Sequence, residues 1–579
     1  VKKEVSWVVG GQQGEGIDST GEILAAALNR LGYHIYGYRT FSSRIKGGHT
    51  NYTIRISTER VVGNAEKIDI LLAFDQDSIT RLGENLAKGA IVITDADGKV
   101  SIPAELGINH VAVPMTQISK DLGNTLMKNT VGLGVSAALM GLGKEDFAAI
   151  IKEQFERKGE KVVNLNTEAF MKGYQFIKDA SIDLSSTELL PGDGKRRYMM
   201  SGNEAAGFGA LVGGCRFLAA YPITPASEIM QYLIKEMPNY HGAAIQVEDE
   251  IASLIMAIGA GYTGVRSMTS TSGPGLSLMM EALGYAGMTE SPVVIIDVQR
   301  AGPSTGMATK HEQSDLYEMV YGSHGDLARI VLTPGTVEEV FYDTALAFNL
   351  AEKYQVPVIV ALDMALGLCK QTVEVFDFDT INIDRGQVMT EEELEKLGSD
   401  FKRYLLTENG VSPRSLPGQK HGLYLATGVE HDPSGHIFEG RENRVKMVDK
   451  RFKKLEGAAK ELKGHSLEYL GSENPDLLTI GWGGTKGQLT ETYQTLKEEG
   501  YNVAHLHFRA VSPFPKEQVQ AYIYAAKKVL IVENNSSGQL GNIIAQAIDI
   551  DRNRVQKLLK YDGNPFIAAE IISRCREVL

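Results

Sequence analysis

Two segments, 292–298 and 356–362, constrain the fold more than anything else in this chain. Each is a nearly unbroken apolar run of seven residues. That is the pattern of a strand buried on both faces of a parallel sheet, where an antiparallel strand with one wet face would alternate. Parallel neighbours need long crossovers, usually helical, so such runs predict an α/β layer fold.

The rest of the chain obeys the same rule. In residues 1–182, strand candidates at 5–9, 70–73 and 90–94 alternate with helical patterns at 19–31, 124–140 and 144–155, predicting a first domain with a parallel sheet. A polar, glycine-bearing stretch at 183–197 reads as a linker. The alternation restarts over 198–379, with a helix at 203–217, a strand at 218–221, a helix after Pro225 and another from Glu250. Residues 380–470 are charged and turn-rich, an inserted arm with helix expected near 390–397 and 442–462. A third α/β domain spans 471–579, with strands at 477–481, 503–508 and 528–533 around a helix at 486–499.

With 579 residues, three or four domains are expected at about 150 residues each. A net charge of −13 argues against nucleic acid as the main partner, because phosphate recognition needs a basic face. No apolar run approaches the ~18 residues of a membrane span, and the N-terminus lacks a cleavable apolar core, so a cytoplasmic protein is expected. The three cysteines, Cys215, Cys369 and Cys575, are far apart. They cannot build a four-cysteine iron–sulfur cluster, and any such cluster belongs on another subunit.

Six clusters carry residue types suited to chemistry. Val9-Gly-Gly-Gln-Gln-Gly-Glu-Gly16 follows a strand and precedes a helix, where backbone N–H groups can meet phosphate. Its glycine order does not match the dinucleotide fingerprint, leaving a phosphate contact and a plain tight turn both open. The stretch 39–50 concentrates Arg39, Arg44 and Lys46 with serines and glycines in an acidic protein, a candidate anion-binding or partner-contact loop. In Tyr221-Pro-Ile-Thr-Pro-Ala-Ser-Glu228, Thr224 is placed to cap a helix that Pro225 opens, at the carboxyl end of a strand, where α/β proteins bind ligands. Glu248-Asp-Glu250 precedes an apolar helix; two of these acids suit the helix dipole, and a carboxyl held against apolar surface suits proton sharing with a ring nitrogen. Thr271-Ser-Gly-Pro-Gly275 is a hydroxyl- and glycine-rich turn opening a helix. Arg300-Ala-Gly-Pro-Ser-Thr-Gly306 sets an arginine just past a buried strand, where it calls for an anion: a ligand carboxylate, or the partner of a structural ion pair.

The last four clusters, in this order and spacing, resemble the 2-oxoacid:ferredoxin oxidoreductase large subunit. The segments Gly10-Gly-Gln-Gln-Gly14 and Ser43-Arg-Ile-Lys-Gly-Gly48 resemble that family's small γ domain, here fused in front. The C-terminal domain is similar to its transketolase C-terminal-like domain. The fused arrangement, Glu228 and Glu430-His-Asp-Pro-Ser-Gly435 look most like the 2-oxoglutarate type. The resemblance implies a multidomain α/β protein: a γ-type domain, a thiamine-diphosphate pyrimidine-binding-like parallel domain and the transketolase-like domain. It further implies that Thr224 touches the substrate oxygen, that Glu250 bonds the aminopyrimidine ring, that Ser272, Gly273, Pro274 and Gly275 lie near the cofactor, and that Arg300 binds the 2-oxoacid carboxylate. Arg39, Arg44 and Lys46 are candidates for the coenzyme A phosphates. His431, His436 and Arg441 are candidates for a distal substrate carboxylate.

A Mg²⁺ site for the diphosphate needs a Gly-Asp-Gly motif at a strand end, and the chain's Gly192-Asp-Gly194 sits in the linker. The resemblance therefore implies a β subunit bringing Mg²⁺, the diphosphate site and a [4Fe-4S] cluster, with ferredoxin as acceptor and an (αβ)₂ heterotetramer. The expected reaction is an oxidative decarboxylation that converts 2-oxoglutarate to succinyl-CoA. Three alternatives stay open at this level: the same chemistry on pyruvate or a branched-chain 2-oxoacid, a non-oxidative transketolase-type enzyme, and a non-catalytic nucleotide-binding scaffold.

Overall fold

The apolar run near the N-terminus folds as the strand Glu4–Gln12, whose seven middle residues are all buried. The computed structural model describes residues 1–41, 48–180 and 182–579. They form two units: Val1–Met200 with Leu368–Val375, and Ser201–Gly367 with Phe376–Leu579.

In the first unit an eight-stranded sheet runs in the order Asn109–Val113, Leu86–Asp95, Ile68–Ala73, Glu4–Gln12, His49–Ser57, His34–Thr40, Lys370–Val373 and Tyr198–Ser201. The expected parallel pairing holds from Asn109–Val113 to Glu4–Gln12, and the middle of the sheet is antiparallel. His49–Ser57 lies antiparallel to both Glu4–Gln12 and His34–Thr40. A short connection joins antiparallel neighbours without a crossover helix, so no helical signal marks the pair in sequence. The two ends of the stretch 39–50 belong to these strands: Arg39 pairs with Tyr52 and Thr40 with Asn51. Arg44 and Lys46 lie outside the described residues. The strand Lys370–Val373, assigned by sequence to the second domain, pairs with Tyr36 and Gly37 in this sheet. Helices Lys128–Leu139 and Glu160–Asp179 cross at backbone contact, since a Cβ on Gly134 would stand 2.1 Å from the Phe170 carbonyl oxygen. The linker is partly fixed: Arg197 is buried and binds Asp193 at 2.6 Å and Glu374 at 2.7 Å.

The second unit carries the two seven-residue apolar runs. Val293–Gln299 and Pro357–Asp363 pair in parallel register over their full length, and every residue of both is buried. They lie inside a seven-stranded sheet ordered Ala510–Ser512, Ile330–Leu332, Pro357–Asp363, Val293–Gln299, Ser267–Thr271, Phe217–Ala220 and Ala243–Gln246. Only Ala510–Ser512, lent by the C-terminal domain, runs antiparallel. That domain has its own five-stranded sheet, and Trp482, Leu506 and Phe508 from it share one core with Ile295, Val331 and Ile359.

The arm, including helices Glu391–Leu397 and Arg441–Glu461, packs where the sheet's strands begin. Lys450 and Lys454 bind Glu290, Arg403 donates to the Glu290 carbonyl, and Arg414 donates to the Gly261 carbonyl. Among the described residues, no helix is long and apolar enough to cross a membrane.

Candidate active site at the carboxyl edge of the parallel sheet

Four adjacent strands of the seven-stranded sheet end side by side: Ala243–Gln246, Phe217–Ala220, Ser267–Thr271 and Val293–Gln299. At about 4.8 Å per strand they span roughly 14 Å. Each is followed by one of the sequence clusters, so topology alone gathers Glu250, Thr224, the 272–275 turn and Arg300 along one edge. This is the edge where open α/β sheets bind ligands.

Glu250 opens the helix Glu250–Tyr262 and is buried, whereas Glu248 is exposed. Capping falls to Asp249, which accepts from the Ala252 N–H at 2.7 Å. Glu250 is thus free of the structural duty that an acid at this end of a helix usually performs. Its carboxyl group lies against the glycine turn: a Cβ on Gly275 would stand 2.7 Å from Glu250 Cγ and 2.8 Å from Oε1. In the same turn the Ser272 hydroxyl is buried without a hydrogen-bond partner, as are those of Thr269 and Ser270 before it. Buried polar groups are rarely left unpaired, so the Ser272 hydroxyl, which lies in the turn itself, marks a place for a polar ligand.

Thr224 does not cap a helix. A turn at 224–226 intervenes before the helix Ser227–Glu236, whose N-cap position is Ala226. The Thr224–Pro225 peptide is cis, and Asn203 donates to the Pro225 carbonyl at 2.9 Å. What Thr224 meets is Arg300: one guanidinium nitrogen donates to the Thr224 carbonyl at 2.8 Å and another to the Thr305 carbonyl at 3.2 Å. Arg300 is buried, and its Nε has no partner among the described residues. Burial pushes its guanidinium below its ordinary value, with Asp315 acting against that shift. A buried guanidinium with N–H groups to spare is a seat for a planar anion.

Asp315 was not anticipated from sequence. It precedes the helix Leu316–Tyr321, and its carboxyl oxygens press on Gly273, where a Cβ would stand 2.7 Å from both. It therefore links the 272–275 turn to Arg300. The signal that could have found its neighbour, Asp297, was an acid inside the apolar run 292–298. The loop that carries these groups is pinned beyond Arg300 by Gln313, which donates to Asp363 at 2.9 Å and to the Trp482 carbonyl at 3.0 Å, and accepts from the Asn534 N–H.

The structure does not bring the distal-carboxylate candidates to this edge. His431 is buried in the arm, its ring 4.1 Å from that of Tyr404 and its Nδ1 bonded to the Val429 carbonyl at 2.9 Å. It lies near Glu290, ahead of the strand whose far end carries Arg300, about 20 Å away along the chain. His436 is exposed beside Asp432, and Arg441 is exposed at the start of its helix. Asp193 of the linker Gly-Asp-Gly is taken by Arg197, so its carboxylate is engaged with a cation.

Residues 208–450 match the thiamine-diphosphate-binding model of pyruvate flavodoxin/ferredoxin oxidoreductases, residues 6–176 match the pyruvate ferredoxin/flavodoxin oxidoreductase model, and residues 476–571 match core domain II of pyruvate:ferredoxin oxidoreductase. A 2-oxoacid:ferredoxin oxidoreductase subunit alpha from Sulfolobus sp. is 35% identical over 98% of this chain and 96% of its own. A 2-oxoglutarate synthase subunit KorA from Methanothermobacter thermautotrophicus is 37% identical over 65% of this chain and 97% of its own. Among solved structures, the 2-oxoglutarate:ferredoxin oxidoreductase from Magnetococcus marinus, with 2-oxoglutarate, coenzyme A and succinyl-CoA bound, matches with a TM-score of 0.94 at 36% identity, covering 100% of both chains. Aligned over nearly its whole length with alpha subunits of that name, this chain belongs to the 2-oxoacid:ferredoxin oxidoreductase family.

Proposed function

We propose that this chain supplies the substrate-binding and pyrimidine-binding half of a 2-oxoglutarate:ferredoxin oxidoreductase active site. The observation that carries this reading is a single chain of contacts: Glu250 against Gly275, Gly273 against Asp315, and Asp315 beside an Arg300 that has a buried, unpartnered N–H. In this reading Arg300 and the Thr224 segment hold the 2-oxoacid carboxylate and keto oxygen. Glu250 holds a proton at the aminopyrimidine ring, and the 272–275 turn lets that ring approach closely. Thiamine diphosphate, when bound, supplies the electron sink for decarboxylation. The orphaned Ser272 hydroxyl and the bare Gly275 backbone fit an aromatic ring with polar edges.

A β subunit brings Mg²⁺, the diphosphate site and the [4Fe-4S] cluster, ferredoxin takes the electrons, and two αβ pairs form the heterotetramer. Ile251 and Ile255 on the Glu250 helix, with Leu278 and Met307 near the other clusters, are exposed apolar side chains suited to that subunit's surface. Coenzyme A takes the acyl group; of the three cations proposed for its phosphates, Arg39 ends a strand in the first unit. The assignment to 2-oxoglutarate rests on the Magnetococcus enzyme and the Methanothermobacter relative.

The test is co-purification with the partner subunit, then coenzyme-A-dependent viologen reduction across a 2-oxoacid panel. We expect kcat/KM for 2-oxoglutarate to exceed that for pyruvate by about a hundredfold or more, the margin a charged group confers when a site is built for it. Absence of acceptor reduction with every 2-oxoacid would overturn the reading. In the same assay Gly275→Ala should lose roughly a hundredfold in kcat/KM. Its Cβ would fall 2.1 Å from Thr271 Oγ1 and force the Glu250 carboxyl aside, and a 1 Å misplacement is worth about that much.

A further inference from the structure

Asp297 lies within the strand Val293–Gln299, fully buried, and neither of its carboxyl oxygens meets an N–H group or a cation. The group it faces is the carboxyl of Asp315, within hydrogen-bonding reach. Asp315 is held in place by its own N–H, which donates to Gln299 Oε1 at 3.1 Å, and by its contact with Gly273. Two carboxyl groups can hydrogen-bond to each other only if a proton lies between them, and two buried carboxylates side by side repel strongly. The other charged groups facing the pair are Glu318 from the following helix, Glu312 from the preceding loop and Arg300 at the loop's start; the Ser277 hydroxyl meets Glu318. Arg300 is thus the cation of the cluster, and the pair lies between it and the 272–275 turn.

We propose that Asp297 and Asp315 act as a proton-sharing positioning pair for the keto-acid seat, and that a 2-oxoacid anion binding at Arg300 is accompanied by uptake of one proton from solvent onto that pair. This rests on the reading of Arg300 as the carboxylate seat. The coupling follows from charge. When the pair carries a negative charge, that charge offsets Arg300 and opposes an incoming anion. When the pair is neutral, Arg300 is fully available. By linkage, an anion at Arg300 must strengthen proton binding at the pair by the same factor. Burial, followed by the charge of Glu318, pushes the Asp315 carboxyl up to about 7, so the coupling falls in the neutral range. The 2-oxoacid itself is fully ionised there and contributes no titration of its own.

With the intact complex, including its partner subunit, the Michaelis constant for 2-oxoglutarate is measured between pH 6 and 8.5 in wild type, Asp315→Asn and Asp297→Asn. In parallel, infrared difference spectra record the carbonyl stretch of buried protonated carboxyl groups. Wild-type KM is expected to rise with pH above 7, approaching about tenfold per unit at the steepest. In Asp315→Asn the carboxyl beside Arg300 no longer titrates, so the rise should flatten; in Asp297→Asn the Asp315 carboxyl loses the hydrogen bond that holds it down, so the rise should move to higher pH, and the protonated-carboxyl band of the pair should change in each variant. A merely structural role would change stability or kcat and leave the pH slope in place. A wild-type KM that stays constant from pH 6 to 8.5, or a slope retained in Asp315→Asn, overturns the coupling. Absence of the protonated-carboxyl band in the wild type overturns the pair itself, whatever the turnover. Failure of all 2-oxoacids to react would instead strike the functional reading, and the infrared arm would still decide the pair.

Discussion

Glu250→Gln is expected to reduce coenzyme-A-dependent turnover by roughly 10²- to 10⁴-fold, the range associated with a positioned acid–base group. The variant should assemble normally. Gln has the same length as Glu, so the contact with Gly275 is kept. Helix capping belongs to Asp249, so the first turn keeps its cap and gives up only the ~0.3–1 kcal/mol of an acid at a helix start. Arg300 and Thr224 are untouched, so KM for the 2-oxoacid should stay within about threefold while kcat falls, the signature of an interaction needed only beyond the bound ground state. Glu248→Gln is the matched control: its side chain is exposed at the same helix start, and near-wild-type kcat is expected. Size-exclusion chromatography of each variant with the partner subunit checks assembly, and viologen reduction checks turnover. A Glu250→Gln enzyme within threefold of wild type would remove the residue from the mechanism.

The features legible in sequence were those that local physics dictates. The strands Val293–Gln299 and Pro357–Asp363 were visible because burial on both faces demands continuous apolar residues. The clusters around Thr224 and Arg300 were legible as strand-end sites because the strands before them were, whereas the strands Ala243–Gln246 and Ser267–Thr271 before Glu250 and Ser272 come from the structure, whose parallel topology sends all four ends to one edge. What sequence could not supply was non-local. The antiparallel strands His34–Thr40 and His49–Ser57 contain Tyr52, whose ring packs under Gly21 and Gly37, but the cations beside them drew the reading toward a loop. Lys370–Val373 joins the first sheet through pairing across more than three hundred residues, which no window can see. Thr224 looked like a cap because Pro225 follows it, yet the chain makes one more turn before the helix begins. His431 is a candidate in sequence because a distal carboxylate needs a second cation. The structure buries it against Tyr404 at the other end of the strands from Arg300. Asp315 escaped notice because its neighbours in space, Asp297 and Gly273, are distant in sequence.

The second large effect concerns how the arm is held. Glu290→Gln should destabilise the second unit by about 3–5 kcal/mol at neutral pH, the usual consequence of removing one partner from a buried ion pair. Glu290 is fully buried, with Lys450 bonded to its two carboxyl oxygens at 2.6 and 2.7 Å, Lys454 bonded to one of them, and Arg403 donating to its carbonyl. Burial opposes ionisation of Glu290, and the combined pull of Lys450, Lys454 and Arg403 overrides it, holding the carboxyl well below the usual carboxylate range. Its contribution is therefore complete above the unfolded value of about 4.3 and is lost only as pH falls through the lower folded value. Burial also pushes the Lys454 ammonium down to about 7, with Lys450 beside it adding to the shift. In the variant both lysines would be buried without a counter-charge, so the folded state would bind fewer protons than the unfolded one up to about pH 10. Stability of Glu290→Gln should accordingly recover as pH rises from 7 toward 10, when the lysines become neutral. Thermal unfolding of the complex should show a deficit of about 5–10 °C at pH 7 that narrows in alkaline buffer. A deficit below about 1 °C, or one that widens with rising pH, would mean that the Glu290 cluster does not clamp the arm to the sheet.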